Sequence, residues 1–204
     1  MHASLNRLAA ASALALSALL VLPATHSQAA VCNTSTLAAG NHSFTVSHGG
    51  LTRSYRLHIP RNLTTPAAVV LSLHGLGSSA PAQQSDSGWD TTADNNRNFV
   101  VAYPDGVDNA WNVAGFNPNV DDTGLMKAIV DHVSARVRIA PNRVYISGTS
   151  LGGGFSHKMA CTEADYFAAA APVVFHLHSS PQDYVCAPSR PISVLEYAGT
   201  RDLL

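Results

Sequence analysis

The chain has 204 residues, and its 12 Lys and Arg against 13 Asp and Glu give a net charge of −1. Because the basic residues are scattered, the composition argues against a nucleic-acid partner. Residues 1–29 are predicted to be a secretory signal, with Arg7 before an apolar run from Leu8 to Leu22 and small residues at Ser27-Gln28-Ala29. That run is shorter than the ~20 residues of a comfortable membrane span, so an uncleaved anchor is only the alternative.

Residues 30–204 are expected to form one exported domain that leaves the membrane after signal cleavage and acts as a monomer. No later segment is long and apolar enough to span a bilayer. Of the three cysteines, Cys161 and Cys186 flank one strand-containing segment and are the preferred disulfide pair. Cys32 would then be free, or would need a partner that this chain does not contain.

Alternating and continuous apolar runs predict the strands of a sheet. Tyr55–Ile59 alternates as a half-buried strand does, and Pro60 ends it. The continuous apolar run from Ala67 to Leu73 is typical of a strand buried on both faces of a parallel sheet. The same interpretation extends to four later segments: Phe99–Tyr103, Arg143–Ser147, Phe167–Phe175 and Ile192–Tyr197.

Helical patterns fall between these strands. From Asp121 onward the apolar residues recur on one helical face as far as Val137, and Asp121 or Asp122 can cap the start. A second, shorter helix is predicted over Leu151–Cys161. Strands alternating with helices predict an α/β fold, with a mostly parallel sheet covered by helices on both faces. Ligands of such sheets bind at the carboxyl ends of the strands.

The segment Gly148-Thr149-Ser150-Leu151-Gly152 matches G-x-S-x-G between a predicted strand and a predicted helix. That setting is typical of a nucleophile elbow, in which a tight turn flanked by glycines projects a serine hydroxyl from the sheet. Ser150 is therefore the candidate nucleophile. The alternative is a glycine-rich turn that serves only helix–sheet packing.

A second motif, Leu73-His74-Gly75-Leu76-Gly77, follows the first buried strand at the same edge. Acyl transfer needs donors for a developing negative oxygen, and the backbone N–H groups of Leu76 and Leu151 are the candidates. His74 comes early in the chain, so a loop-orienting histidine bonded to the backbone is favoured over a catalytic base.

From about Gly50 to Asp202 the sequence resembles the secreted polyhydroxybutyrate depolymerase and feruloyl esterase-like family of α/β hydrolases. The segment Tyr103-Pro104-Asp105-Gly106 and the elbow are its most specific matches. The other matches follow in order: Arg53-Ser54-Tyr55, Leu73-His74-Gly75, Ala93-Asp94, Phe99–Ala102, Trp111, Asp121-Asp122, Arg143-Val144-Tyr145, Ala160-Cys161 and Phe167-Ala168-Ala169.

The resemblance implies extracellular hydrolysis of carboxylic esters: polyester oligomers, or feruloyl and acetyl groups on plant cell-wall polysaccharides. It implies no cofactor and no metal, and the histidine spacing does not suggest zinc. The Gly-Thr-x-Asp pattern of the family matches Gly199-Thr200-Arg201-Asp202, which makes Asp202 the candidate acid of the triad. Read without the family, Asp202 is an ordinary turn aspartate.

The fold's triad order is Ser, then Asp, then His, yet no histidine follows Asp202 before the sequence ends at Leu204. We therefore expect the catalytic histidine, a final strand and a final helix to be missing here. A shortened gene model, a fragment and a degenerate relative are the three explanations. His176 and His178 follow a strand at the catalytic edge, but solvent-facing loop positions are favoured for both, and neither His157 nor His132 is a strong candidate base.

Two functions remain open at this stage. The leading one is a serine esterase that forms an acyl-enzyme on Ser150. The other is a non-catalytic secreted protein that keeps an ester- or carbohydrate-binding cleft, which Trp89 and Trp111 could line, although core packing is the more frequent position of a lone Trp.

Overall fold

The structure is a computed structural model that describes residues 37–178 and 182–201. In the described part of the chain, the sheet has seven strands in the spatial order β1-β2-β4-β3-β5-β6-β7. Its strands are β1 Gly40–His48, β2 Leu51–Ile59, β3 Ala67–Leu73, β4 Phe99–Pro104, β5 Ile139–Thr149, β6 Ala169–Val173 and β7 Ser193–Val194. Strands β3 to β7 pair in parallel, whereas β1 and β2 are antiparallel to their neighbours.

Within residues 37–178 and 182–201, four α-helices connect the strands, and a short 3-10 turn, Val107–Asn109, follows β4. The helices are α1 Ala80–Asp86, α2 Trp89–Asn96, α3 Asp122–Ser134 and α4 Leu151–Thr162. Asp121 caps α3 by accepting a hydrogen bond from the backbone N–H of Gly124 at 2.8 Å. None of the helices in the described ranges is long and apolar enough to cross a membrane.

The two faces of the sheet bury separate apolar clusters, because successive strand residues point to opposite sides. Val69 and Leu71 pack with α3 and α4 in the larger cluster, while Val70, between them, packs with α1 and α2 in the smaller one. The predicted α/β fold, a mostly parallel sheet with helices on both faces, is confirmed.

Most of the predicted elements are present, with different ends. β3 has the predicted bounds, and α4 extends one residue beyond them. β6 and β7 are shorter than predicted, because β6 pairs with β5 over only five residues and β7 pairs with β6 over two. Beyond β7, Tyr197 forms an isolated parallel bridge to Val173.

The β1–β2 hairpin was not predicted, although the sequence signals it. Gly49 and Gly50 connect the two strands with φ values of +58° and +76°. Two successive positive φ angles define the two-residue turn that best matches the twist of a hairpin, and glycine adopts them without steric cost.

Candidate active site

Ser150 lies at the sharp turn between β5 and α4. Its φ of +53° and ψ of −122° are unusual for a residue with a side chain. The residue is half-buried, so its hydroxyl is not sealed inside the core. Strain of this kind costs on the order of 1–3 kcal/mol and clusters at functional sites. The strand, the turn and the helix have the geometry that a nucleophile elbow requires.

The glycines that flank Ser150 are needed because the backbone packs against the end of β3. A Cβ atom on Gly148 would lie 2.5 Å from the carbonyl oxygen of Gly152. On Gly152 it would lie 2.6 Å from the carbonyl oxygens of both Leu73 and His74. Real Cβ atoms are not found that close to backbone atoms, so any side chain would displace the elbow from the loop after β3.

The loop after β3, residues 74–77, lies directly beside the serine. A Cβ atom on Gly75 would lie 3.3 Å from Ser150 Cβ and 4.0 Å from its Oγ. Leu76 follows, with an exposed side chain and a backbone N–H that donates to no acceptor in the described part of the chain. Leu151 is the first residue of α4, where helix N–H groups lack intrahelical partners. Both predicted donors therefore lie on the segments that flank Ser150.

His74 holds this loop in place. Its Nδ1–H donates to the carbonyl of Gly75 at 2.8 Å, and its Nε2 accepts from the backbone N–H of Gly106 at 3.0 Å. Burial lowers the pKa of His74 below its usual value, so the ring is neutral near pH 7. With both ring nitrogens bonded to backbone groups, His74 orients the loop and is not available as a base.

Trp111 also contacts the loop after β3, through His74. Its indole N–H donates to the carbonyl of His74 at 2.8 Å, and the two rings lie 4.8 Å apart. Trp111 is fully buried, so it does not line a cleft. Of the two tryptophans that could line a carbohydrate-binding cleft, Trp111 is therefore excluded.

An ion pair that the sequence did not predict holds the long segment between β4 and α3. Lys158 of α4 bonds the carbonyl of Asn112 at 2.7 Å and Asp183 at 3.1 Å, and the other oxygen of Asp183 accepts from the backbone N–H of Ala114. The backbone N–H of Asn112 donates to the buried carboxylate of Asp122.

Asp122 also pairs with the nearly buried Arg53 at 2.8 Å. Burial raises the pKa of Asp122 above its usual value, and the hydrogen bond from Arg53 opposes that rise. Arg53 and Asp121-Asp122 belong to the matched family segments, but their spacing gives no sign that two of them would meet.

The predicted acid, Asp202, lies outside the described residues. The segment before it is described as far as Arg201 and runs beside β6: the N–H of Val174 donates to the carbonyl of Tyr197 at 2.7 Å. The N–H of Ser150 donates to the carbonyl of Val173 at 2.9 Å. The backbone leading to Asp202 is thus one strand removed from the elbow.

The remaining candidate histidines contact other groups. His176 is exposed and its Nδ1 lies 2.7 Å from a carboxylate oxygen of Glu196, while His178 is exposed as predicted. His157 is buried and bonds the carbonyl of Phe175, and His132 accepts from the hydroxyl of Tyr55. Among the described residues, none of these histidines is hydrogen-bonded to Ser150.

Cys161 at the end of α4 forms a disulfide with Cys186, so the preferred pairing is confirmed. Together with the Lys158–Asp183 pair, it ties residues 182–186 to the helix that begins at the elbow. Cys32 lies outside the described residues, and its state stays a prediction.

Solved structures share this architecture. A thermostable esterase superposes with a TM-score of 0.57 at 20% identity, covering 79% of this chain and 55% of that one. An acetyl xylan esterase from Aspergillus awamori superposes with a TM-score of 0.53 at 20% identity, covering 64% of this chain and 50% of that one. With the elbow at Ser150, these matches define the chain as an α/β hydrolase in fold.

Curated proteins narrow the class. A bifunctional acetylxylan esterase/xylanase from Neocallimastix patriciarum is 33% identical over 75% of this chain, and feruloyl esterase B from Piromyces equi is 34% identical over 67%. Poly(3-hydroxyalkanoate) depolymerase C from Paucimonas lemoignei is 34% identical over 57%. No protein-family model matches the sequence.

The chain therefore belongs to the family of α/β hydrolases that includes these feruloyl esterases, acetylxylan esterases and polyhydroxyalkanoate depolymerase. The resemblance stated from the sequence is confirmed. The chain spans only 22%, 26% and 30% of the length of the three relatives named above.

Proposed function

We propose that this protein is a serine carboxylic-ester hydrolase in which Ser150 attacks the ester carbonyl and forms an acyl-enzyme. The observation that carries the proposal is the strained, half-exposed Ser150 beside the loop at Gly75. As the serine Oγ bonds to the carbonyl carbon, the carbonyl oxygen becomes an oxyanion. The N–H groups of Leu76 and Leu151 are the donors we assign to it, and each such donor lowers the activation barrier by about 3–4 kcal/mol in known cases.

The attack also needs an acid–base pair. We assign Asp202 as the acid, because the strand segment before it runs beside β6 toward the elbow edge. A serine hydroxyl at its normal pKa is a weak nucleophile, so a base must take its proton. In the described ranges His74, His157 and His176 are bonded to groups other than Ser150, so we assign the role to none of them. The base we propose is a histidine outside these ranges, oriented by Asp202, which takes the hydroxyl proton of Ser150 and passes it to the leaving alcohol.

The substrates we propose are esters of the kind named in the relatives: acetyl or feruloyl groups on cell-wall polysaccharides, or hydroxyalkanoate polyesters. We further propose that residues 1–29 are a secretory signal and that the domain of residues 30–204 works outside the cell as a monomer. N-terminal sequencing of the exported protein tests the first point, with a start at Ala30 expected.

A hydrolysis assay tests the catalytic proposal. The full-length gene product is compared with its Ser150→Ala variant and with Ser134→Ala, a half-buried serine at the end of α3, on p-nitrophenyl acetate and butyrate. Loss of a nucleophile removes nearly all turnover, so we expect at least about a 10³-fold loss in Ser150→Ala and none in Ser134→Ala. Equal rates for the chain and Ser150→Ala would defeat the proposal.

Covalent labelling provides a second measurement. A fluorophosphonate probe reacts with an activated serine, and peptide mapping then locates the modified residue. We expect the label on Ser150, with no label on the Ser150→Ala chain.

A further inference from the structure

One carboxylate on the segment after β7 contacts two histidines from different parts of the fold. Glu196 Oε1 lies 2.7 Å from Nδ1 of His176, and Glu196 Oε2 lies 3.5 Å from Nε2 of His157. His157 is on α4, two turns after Ser150, and its side chain is only 5% exposed. His176 lies three residues after the end of β6. Glu196 therefore contacts both α4, the helix that follows Ser150, and the segment that follows β6.

The first residue after β6 has a second unusual backbone conformation. Val174 has a φ of +48°, which a β-branched residue rarely adopts. Such strain persists only where surrounding contacts enforce it, and it costs on the order of 1–3 kcal/mol. Here the N–H of Val174 is held by the carbonyl of Tyr197, and the carbonyl of Phe175 accepts from His157 at 3.1 Å.

This turn has a direct consequence for the elbow. It places Phe175 over the first turn of α4, where Cβ atoms on Gly153 and Gly154 would lie 3.2 Å and 2.7 Å from the Phe175 side chain. The preceding carbonyl, that of Val173, accepts the N–H of Ser150. The strained turn at Val174 is therefore adjacent to the carbonyl that binds the backbone of Ser150.

We propose that Glu196 is a positioning residue, which holds residues 193–201 and the strained turn at Val174 against α4. It thereby fixes the segment leading to Asp202 relative to Ser150. The proposal rests on the proposed function, since this alignment matters for activity only if Ser150 attacks esters with Asp202 in support. His176 and Glu196 are 59% and 31% exposed, and polar contacts between side chains so exposed contribute little to stability. The effect therefore falls on alignment and not on folding.

Kinetics of Glu196→Gln test the proposal. Glutamine keeps the length of the side chain but removes its charge and replaces one of its two acceptor oxygens with a donor. We expect kcat on p-nitrophenyl acetate to fall about tenfold with KM within about twofold, because small misplacements of catalytic groups cost rate. The matched control is Glu163→Gln, which breaks the Lys127–Glu163 pair at the other end of α4 and should leave both constants unchanged. Equal kcat in the two variants overturns the positioning role.

Hydrogen exchange gives a readout that does not depend on turnover. We expect the Val174 amide to exchange about tenfold faster in Glu196→Gln than in the parent chain, with β1–β2 amides unchanged. An unchanged Val174 amide overturns the proposal whatever the kinetics show. A parallel fall of kcat and of the unfolding midpoint overturns it too, because that pattern reports general destabilisation. If the parent chain and Ser150→Ala hydrolyse equally, the proposed function fails, while the exchange rate still decides whether Glu196 holds the turn.

Discussion

The backbone of Gly152 touches the backbone of His74, so that a single added methyl group would lie 2.6 Å from the His74 carbonyl oxygen. That carbonyl also accepts the indole N–H of Trp111. One peptide group therefore contacts α4, the helix that follows Ser150, on one side and a buried tryptophan on the other. The spacing between Ser150 and the loop after β3 is set by this backbone contact.

Gly152→Ala should separate the elbow from the loop. Overpacking of this kind typically costs about 1–3 kcal/mol of stability, and the displaced loop should cost at least about a hundredfold in ester hydrolysis. Urea unfolding and p-nitrophenyl acetate turnover measure the two effects. Gly49→Asn is the control, because Gly49 has open space around it and asparagine tolerates its positive φ. Full activity in Gly152→Ala would contradict the assignment of this loop to the oxyanion.

Trp111→Phe should weaken the same loop through a lost hydrogen bond. The phenyl ring keeps most of the apolar contact, but the buried carbonyl of His74 loses a donor, which costs about 1–3 kcal/mol. We expect a lower unfolding midpoint together with a lower kcat. Trp89→Phe is the matched control: Trp89 is half-buried and packs edge-on against Phe99, so its change should be small. Similar losses in both variants would mean that the indole N–H of Trp111 is unimportant.

The sequence predicts the segments whose pattern and chemistry coincide. β3 is a continuous apolar run buried on both faces, and it has the predicted bounds. The elbow was predictable because glycine, serine and glycine recur at fixed spacing between a strand and a helix. The Cys161–Cys186 pair was predictable because both cysteines flank one segment.

Other features depend on contacts between distant residues. The Arg53–Asp122 pair joins residues 69 positions apart, and no local pattern predicts that two charges will be buried together. α1 and α2 are short and largely polar, so they lack the apolar periodicity that identifies a helix. The pairing of β7 over only two residues depends on its contact with β6, and the apolar run of its own segment does not predict that limit.

Asp122→Asn should destabilise the protein strongly. It leaves the Arg53 guanidinium, which is 4% exposed, without a counter-charge, and breaking a buried pair typically costs about 3–5 kcal/mol. Chemical unfolding measures the loss. The double variant Arg53→Met/Asp122→Leu should recover most of it, because it removes both charges. A double variant no more stable than Asp122→Asn would show that the hydrogen bond from Asn112 to Asp122 matters more than the charges.

Acid should destabilise the fold through its buried histidines. Burial lowers the pKa values of His74 and His157 below their ordinary 6.5. Below about pH 6.5 the unfolded chain therefore binds protons that the folded chain does not, and the free energy of unfolding falls as the pH falls toward the folded pKa values. Each histidine contributes about 1.4 kcal/mol per pH unit while only its unfolded form is protonated. Above pH 6.5 this contribution is fully present.

Urea unfolding of the parent chain and of His157→Gln between pH 8 and pH 5 measures this dependence. The glutamine can still donate to the carbonyl of Phe175, but it does not titrate, so its stability should fall less steeply below pH 6.5. Burial raises the pKa of Asp122. The contribution of this carboxyl to the free energy of unfolding therefore has the opposite sign and increases as the pH falls. That carboxyl is present in both chains, so the difference between their slopes isolates His157. Identical slopes would show that His157 titrates alike in the folded and unfolded states, and that its burial does not restrict its protonation.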